Sequence, residues 1–385
     1  MTQALELPPL SLYIHIPWCA KKCPYCDFNS HVSGSGIPEA LYIDCLLRDL
    51  ENELAYVQGR KLHSIFIGGG TPSLFSAQGI ARILDACASR LDFYHDIEIT
   101  MEANPGSSEQ QKFADLYTAG VNRLSLGIQS FKEQHLKRLG RIHNQNEALS
   151  AITSAQKAGF RRINIDLMHG LPDQTPEEAL NDLQQAIDTG VTHISWYQLT
   201  IEPNTEFYRY PPALPVDDIL ADIQEHGLVL LEKHDFHQYE ISAFSKPGQQ
   251  ARHNLNYWRF GDYLAIGAGA HGKITLPAEE RIIRYAKTRL PKDYMARNTQ
   301  FGNDPEPLNN EDRLFEALMN CLRLNAGMPT NDLLRFTGCN EKELQQLCNP
   351  LMNEGLLSID RSIKATIQGR RYLNSVLERL LHSTH

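Results

Sequence analysis

The chain has 385 residues, of which 42% are hydrophobic and 22% charged, and a formal net charge of -9. That composition is globular and excludes disordered, collagenous and membrane-embedded classes; the acidic balance argues against a nucleic-acid surface, which needs clustered Lys and Arg. No apolar run approaches the roughly 20 residues of a membrane helix. The first residues lack the basic start and apolar core of a signal peptide, so a cytoplasmic location is expected.

Strands are predicted at 11–16, 64–67, 97–101, 123–128, 163–168 and 194–199, separated by amphipathic stretches at 38–56, 77–91, 109–119, 146–158 and 176–189. This rhythm means β/α units around a parallel sheet. Runs such as Ser64 to Ile67 fit a sheet covered on both faces. Six units make either a doubly wound sheet or an incomplete (β/α)6 barrel, and both gather function at the carboxyl ends of the strands. Polar and glycine-rich residues follow the predicted strands: Gly68-Gly69-Gly70-Thr71-Pro72, Glu102-Ala103-Asn104-Pro105, Gln129-Ser130, Asp166 with His169-Gly170, and Tyr197 to Thr200.

A helix near 217–234 and a strand near 239–243 come next, then His253-Asn254-x-x-Tyr257-Trp258 and a glycine-rich stretch at 261–272. The polar, Pro-containing segment 277–307 is expected to be a connector. It would join a core of residues 1–276 to a C-terminal unit, 308–385, that is helical with a strand–turn–strand near 355–367. That unit resembles a winged helix. Its acidic and basic side chains nearly balance, which points to packing or partner docking, not DNA.

The chemistry is concentrated in Cys19, Cys23 and Cys26, spaced C-x3-C-x2-C after the first predicted strand. A zinc site wants four ligands, usually in two pairs, and no second pair exists. A redox Cys23–Cys26 pair leaves Cys19 unexplained. Three thiolates on a four-iron cluster account for all three and leave one iron open, because such clusters normally take four Cys ligands. Of the other five cysteines, Cys45, Cys87 and Cys321 fall in helix-like apolar patterns and read as buried small hydrophobes.

With Tyr25 before its last cysteine, the triplet resembles that of the radical S-adenosylmethionine (SAM) superfamily. Residues 13–19, 68–72, 102–105, 127–131 and 165–172, together with the C-terminal unit, are similar in order to the oxygen-independent coproporphyrinogen III oxidase-like family. The resemblance implies an incomplete (β/α)6 TIM-type barrel followed by a small helical winged-helix-like domain. It also implies a [4Fe-4S] cluster on Cys19, Cys23 and Cys26, with SAM chelating the open iron, and an electron donor to the cluster. For the SAM pocket it implies Tyr13, Tyr25, Gly69, Gly70, Thr71, Glu102, Gln129, Arg141, Asp166 and Thr200. Taken singly, Glu102 reads equally as a helix cap and Arg141 as a surface cation. Asp166 is harder to dismiss, because it sits in an apolar strand and a buried charge must be paired.

Three features depart from the oxidases of that family. Phe28 stands where they carry a further cysteine, only residues 1–10 precede the first strand where they carry an extension, and His253-Asn254-x-x-Tyr257-Trp258 resembles the motif of the family's haem-chaperone branch. That resemblance implies haem binding and delivery to an acceptor such as a respiratory haem enzyme; the alternative reading is an oxygen-independent coproporphyrinogen III dehydrogenase, an activity these departures argue against. It places His253, Asn254, Tyr257 and Trp258 at the haem, imidazole being a common haem ligand. His169, His193 and His271 are rival ligands. Taken alone, Tyr257 and Trp258 read as core packing.

Overall fold

A computed structural model describes residues 4–34 and 36–384; the outermost ends of the two expected domains, 1–3 and 385, lie outside the described residues. Six parallel strands lie side by side in chain order: β1 (Leu10–Ile16), β2 (Leu62–Gly69), β3 (Phe93–Ala103), β4 (Arg123–Gln129), β5 (Arg162–His169) and β6 (His193–Gln198). Between them run α1 (Glu39–Glu53), α2 (Ala77–Ala88), α3 (Phe113–Thr118), α4 (Gln145–Lys157) and α5 (Pro176–Asp188), and α6 (Asp217–Lys233) follows β6. Local sequence sets the helix starts. Asn144 with Glu147 and Thr175 with Glu178 form capping boxes on α4 and α5, each satisfying two otherwise orphaned backbone donors.

The sheet does not close into a full barrel. Past β6 it continues through antiparallel β8 (Ala243–Ser245) to β7 (His237–Glu240); past β1 it continues through parallel β9 (Asp262–Ile266) to antiparallel β10 (His271–Leu276) and β11 (Arg281–Ala286). This is an incomplete (β/α)6 barrel whose sheet is extended by further strands on each flank.

Two sequence expectations need correction. The stretch 277–307 is not an open connector: it supplies β11, and its Ile283, Tyr285, Tyr294 and Phe301 belong to the barrel's core. Nor are the barrel strands apolar on both sides. Outward residues such as Leu12, Ile14, Ile65, Leu126 and Ile165 are fully buried under the helices, whereas the in-register residues of the opposite face are largely polar. Ser11 pairs with Ser64, Ser64 with Glu98, Thr100 with Arg123, Ser125 with Asn164, and Asn164 with His193. Full TIM barrels fill this space with bulky branched side chains; here it is a polar lumen.

Helix α7 (Arg252–Trp258) closes the amino-terminal end of that lumen. His253 Nδ1 lies 2.9 Å from Glu98 Oε1, and the His253 ring stacks on Phe66 with centroids 4.3 Å apart and planes 4° apart. Glu98 is fully buried, within 2.8 Å of Arg162 and 3.7 Å of Arg123. Burial works against its charge, but the His253 hydrogen bond and the two guanidinium groups prevail and hold it ionised, well below the ordinary carboxylate range.

The C-terminal unit has its own apolar core, built by α8 (Asn310–Cys321), α9 (Thr330–Thr337), α10 (Glu341–Asn353), the hairpin β12 (Leu357–Ile359) and β13 (Ser362–Ala365), and α11 (Leu373–Thr384). It meets the barrel at Trp258, where the Arg323 guanidinium lies 4.3 Å over the indole and also bonds Glu240 at 3.2 Å. Cys45 and Cys87 are buried in the barrel core, and Cys321, Cys339 and Cys348 in the C-terminal one.

Candidate functional site

At the carboxyl ends of the parallel strands lies a pocket of about 480 Å³. The loop after β1 brings Cys19, Cys23 and Cys26 to its wall, and strand ends β2 to β6 bring Gly69, Gly70, Thr71, Glu102, Gln129 and Asp166, with Tyr25, Arg141 and Thr200 alongside. Of the residues expected to bind SAM, only Tyr13 lies elsewhere. It faces an adjoining cleft, where its hydroxyl bonds His15 Nδ1 at 2.7 Å.

Close backbone approach explains the glycines. A Cβ on Gly70 would stand 2.5 Å from the Trp18 carbonyl oxygen, and Gly69 has φ +116 with the His15 ring where its Cβ would go. Gln129 adopts φ +70 at a register shift between β4 and β5, and there its Oε1 accepts from Tyr197 Oη at 3.0 Å. A bulge that re-aims a side chain in a left-handed conformation is a typical feature beside a site.

Charge is placed with equal economy. Glu102 takes one backbone donor, the Gly69 N–H at 3.0 Å, and burial with the nearby Asp166 raises it to about 7. Burial also raises Asp166, which accepts from Ser125 Oγ and Asn164 Nδ2 at 2.9 and 2.7 Å. Arg141 donates to Asn104 Oδ1 and the Gly127 carbonyl at 2.6 and 2.5 Å and reaches Cys23 Sγ at 3.8 Å. Burial opposes its charge, but Tyr25 and Cys23 more than offset that, and its buried Nε has no partner among the described residues.

Burial pushes the Cys19 and Cys26 thiols up, so a metal centre here would release protons as it assembles. Among the described residues no group of His, Cys, Asp and Glu converges on a single-ion site. A multi-iron cluster makes no such demand, since each thiolate binds its own iron. Three thiols, an Arg141 guanidinium whose Nε has no partner among the described residues, and a glycine cradle fit an anionic cluster carrying a ligand with an ammonium and a carboxylate. Asn104 was not singled out from sequence, yet it bridges Arg141 and Thr71, to which it donates at 2.9 Å. The signal was present in Glu102-Ala103-Asn104-Pro105.

The adjoining cleft is larger, about 1070 Å³, and shares Asp27, Phe28, Gly69 and Glu102 with the pocket. Of the haem motif, Tyr257 and Trp258 line it, while His253 and Asn254 face a small lumen cavity of about 150 Å³. His193 is buried with both nitrogens engaged, Nδ1 with Asn164 at 2.6 Å and Nε2 with Tyr239 at 2.9 Å. His169 is buried against Trp196. His271 is exposed and lines the cleft.

A barrel of this form with three cysteines at its carboxyl mouth defines a radical SAM protein, and the Radical SAM superfamily profile matches residues 13–186, followed by the HemN C-terminal domain profile at 308–372. Within that superfamily the chain belongs to the family of proteins named heme chaperone HemW. It is 51% identical to that of Escherichia coli over 98% of this chain and 99% of the relative, and 52% identical to that of Haemophilus influenzae over the same shares. A bovine mitochondrial relative, radical S-adenosyl methionine domain-containing protein 1, is 35% identical over 96% of this chain and 87% of its own. The fold matches coproporphyrinogen III oxidase (HemN) of Escherichia coli with a TM-score of 0.81 and 22% identity, over 97% of this chain and 90% of that one.

Proposed function

We propose that this protein is a haem chaperone that binds haem in the larger cleft and passes it to an acceptor such as a respiratory haem enzyme. Beside the haem it would hold a [4Fe-4S] cluster on Cys19, Cys23 and Cys26 and SAM in the smaller pocket. The carrying observation is that the cysteine pocket opens beside a larger cleft through four shared residues, with the 59%-exposed Phe28 among them. A macrocycle would have room and flat aromatic walls in the cleft while resting beside the cluster. Full-length similarity to proteins named heme chaperones supports the same reading.

Cys19, Cys23 and Cys26 would ligate three irons, leaving the fourth for the amine and carboxylate of SAM. Glu102 would take the methionine ammonium, and Gly69 and Gly70 would admit its close approach. The bound group supplies one-electron chemistry when reduced by a donor; Arg141 would hold the net negative charge of the cluster, and Asp166 and Gln129 would orient the cofactor. No helix among the described residues is long and apolar enough to cross a membrane.

The test is anaerobic. Reconstituted protein is assayed side by side for stoichiometric haem binding, haem transfer to an apo acceptor, and decarboxylation of coproporphyrinogen III. Haem binding and transfer without decarboxylation are expected. Efficient decarboxylation, or absence of haem binding, overturns the proposal.

A further inference from the structure

We infer that the axial nitrogen for haem comes from His271 at the start of β10, not from His253, with Arg289 and Arg297 at the cleft rim receiving the propionates. This rests on the haem reading above and specifies its ligand.

The assignment follows from which imidazoles can reach a macrocycle. Among the described residues the cleft wall has two, His15 and His271. His15 is spent: its Nδ1 bonds Tyr13 Oη at 2.7 Å and its Nε2 the Asn29 carbonyl at 2.9 Å. His253 is 6% exposed, with Nδ1 on Glu98 and one face covered by Phe66. The cavity it lines, about 150 Å³, is below the range of small-ligand pockets, about 300 Å³ and up. The His271 ring is exposed and has no hydrogen-bond partner among the described residues. Partial enclosure by the cleft wall, then Arg284 and Arg289, lowers its affinity for a proton, which favours the neutral ring that can bind iron.

The backbone fixes where that ring stands. Gly267 and Gly269 have φ +104 and +82 in the turn from β9 to β10, and a Cβ on Gly269 would meet Asn29 Nδ2 at 2.1 Å. Asn29 Nδ2 also donates to the Ala268 and Arg289 carbonyls, both at 2.9 Å. The His271 turn is thus fastened to the loop that carries the cysteines, so the cluster end and the haem end of the molecule are mechanically joined.

Charge selects the propionate end. The cations deep in the cleft are already matched: Lys273 to Asp262 at 2.8 Å, Arg284 to Glu316, and Lys287 to Asp49 and Glu53 at 2.6 and 2.7 Å. Arg289 and Arg297 are exposed at the rim. Arg289 uses only its Nε, toward Asn29 Oδ1 at 3.2 Å, leaving its two-pronged end for a carboxylate.

The test is spectroscopic and needs no turnover. Full-length protein is titrated with ferric haem, following the Soret band and the electron paramagnetic resonance spectrum, for the wild type, His271→Ala, His271→Cys, the Arg289→Gln/Arg297→Gln pair, and His95→Ala as a surface-histidine control. His271→Ala is expected to weaken binding roughly tenfold or more and to lose the imidazole-ligated spectrum, with added imidazole restoring it. His271→Cys gives a thiolate-type spectrum, and the arginine pair weakens haem but not its dimethyl ester. The ligand assignment is overturned if both His271 variants keep the wild-type spectrum, or if His253→Ala erases it in a folded protein. A wild-type chain that binds no haem overturns the haem reading itself, a result distinct from unchanged ligation.

Discussion

The two cavities share a wall but are built from different material. The cysteine pocket stands on the ends of six buried parallel strands, and its polar groups are locked together: Arg141 to Asn104 and Gly127, Asp166 to Ser125 and Asn164, Gln129 to Tyr197. The cleft stands on the added strands β9 to β11, on α7 and on α8 of the C-terminal unit, with exposed cations and aromatic edges at its mouth. A pre-organised pocket on rigid elements suits a resident cofactor held in one geometry. An open cleft at a junction of two cores, with exposed cations at its mouth, suits cargo that must leave. The division of labour in a chaperone of this kind would then follow the architecture: permanent chemistry over the barrel, transient binding on its flank.

The sharpest way to separate the two is to remove the cluster. Cys23→Ala is expected to abolish the visible absorption of a reconstituted cluster and bring bound iron and sulfide to background, because three thiolates are already the minimum for four irons. Haem binding in the cleft should persist. Loss of both together would show that the cavities are one functional unit.

Second in size is the closure of the lumen. Glu98→Gln leaves the buried Arg123 without its counter-charge, which costs about 3–5 kcal/mol, and takes the partner from the partly exposed Arg162 as well. A thermal or urea midpoint well below wild type is expected, with haem affinity per folded molecule unchanged, since His253 serves the lumen. A normal midpoint would mean that α7 is held by its packing alone.

How much of this was readable beforehand differs between the same two regions. The six parallel strands announced themselves because their outward residues, such as Leu12, Ile14, Ile65 and Ile67, form strong apolar signals. The cysteine pocket then followed, since its residues sit directly after those strands. The polar lumen was written in the same segments as the alternation Ser11, Tyr13, His15 and Ser64, Phe66, Gly68, but short runs masked it. The cleft was legible only in part: the motif gave Tyr257 and Trp258, but not the strands that build the wall. Arg281–Ala286 interleaves charges with apolar residues and follows Pro277, so it looked like a link; only its pairing with β10 shows a strand. Likewise, nothing local tells that His253 turns into the lumen while Tyr257, one helical turn on, faces the cleft.

Glu102 gives a smaller, pH-dependent effect confined to the cysteine pocket. Its folded-state value is raised from 4.5 to about 7, so folding favours the protonated form. That contribution is fully present below pH 4.5 and lost as pH rises through about 7. In the ligand-free protein, Glu102→Gln should therefore match the wild type near pH ~4 and exceed it by about 3 kcal/mol near pH ~8.5, read from denaturation midpoints. With SAM the sign reverses. The ammonium group stabilises the carboxylate, so wild-type affinity should rise with pH through about 7 and the Gln variant should bind weakly throughout. A flat wild-type profile would remove Glu102 from the cofactor contact.

The smallest expected effect falls on the shared wall. Phe28 is 59% exposed in the loop that carries the cysteines and borders both cavities. An apolar ring left in water gains when something flat covers it, and an aromatic contact of this kind contributes about 0.5–1.5 kcal/mol. Phe28→Ala should therefore weaken haem roughly threefold to tenfold, without altering the cluster's absorption or the folding midpoint, because an exposed side chain holds little of the core. The direction of any cross-talk is informative. If SAM tightens haem in the wild type but not in Phe28→Ala, the ring transmits occupancy from one cavity to the other. If SAM tightens haem equally in both, the link runs instead through Asn29, whose amide already ties the cysteine loop to the carbonyls of Ala268 and Arg289.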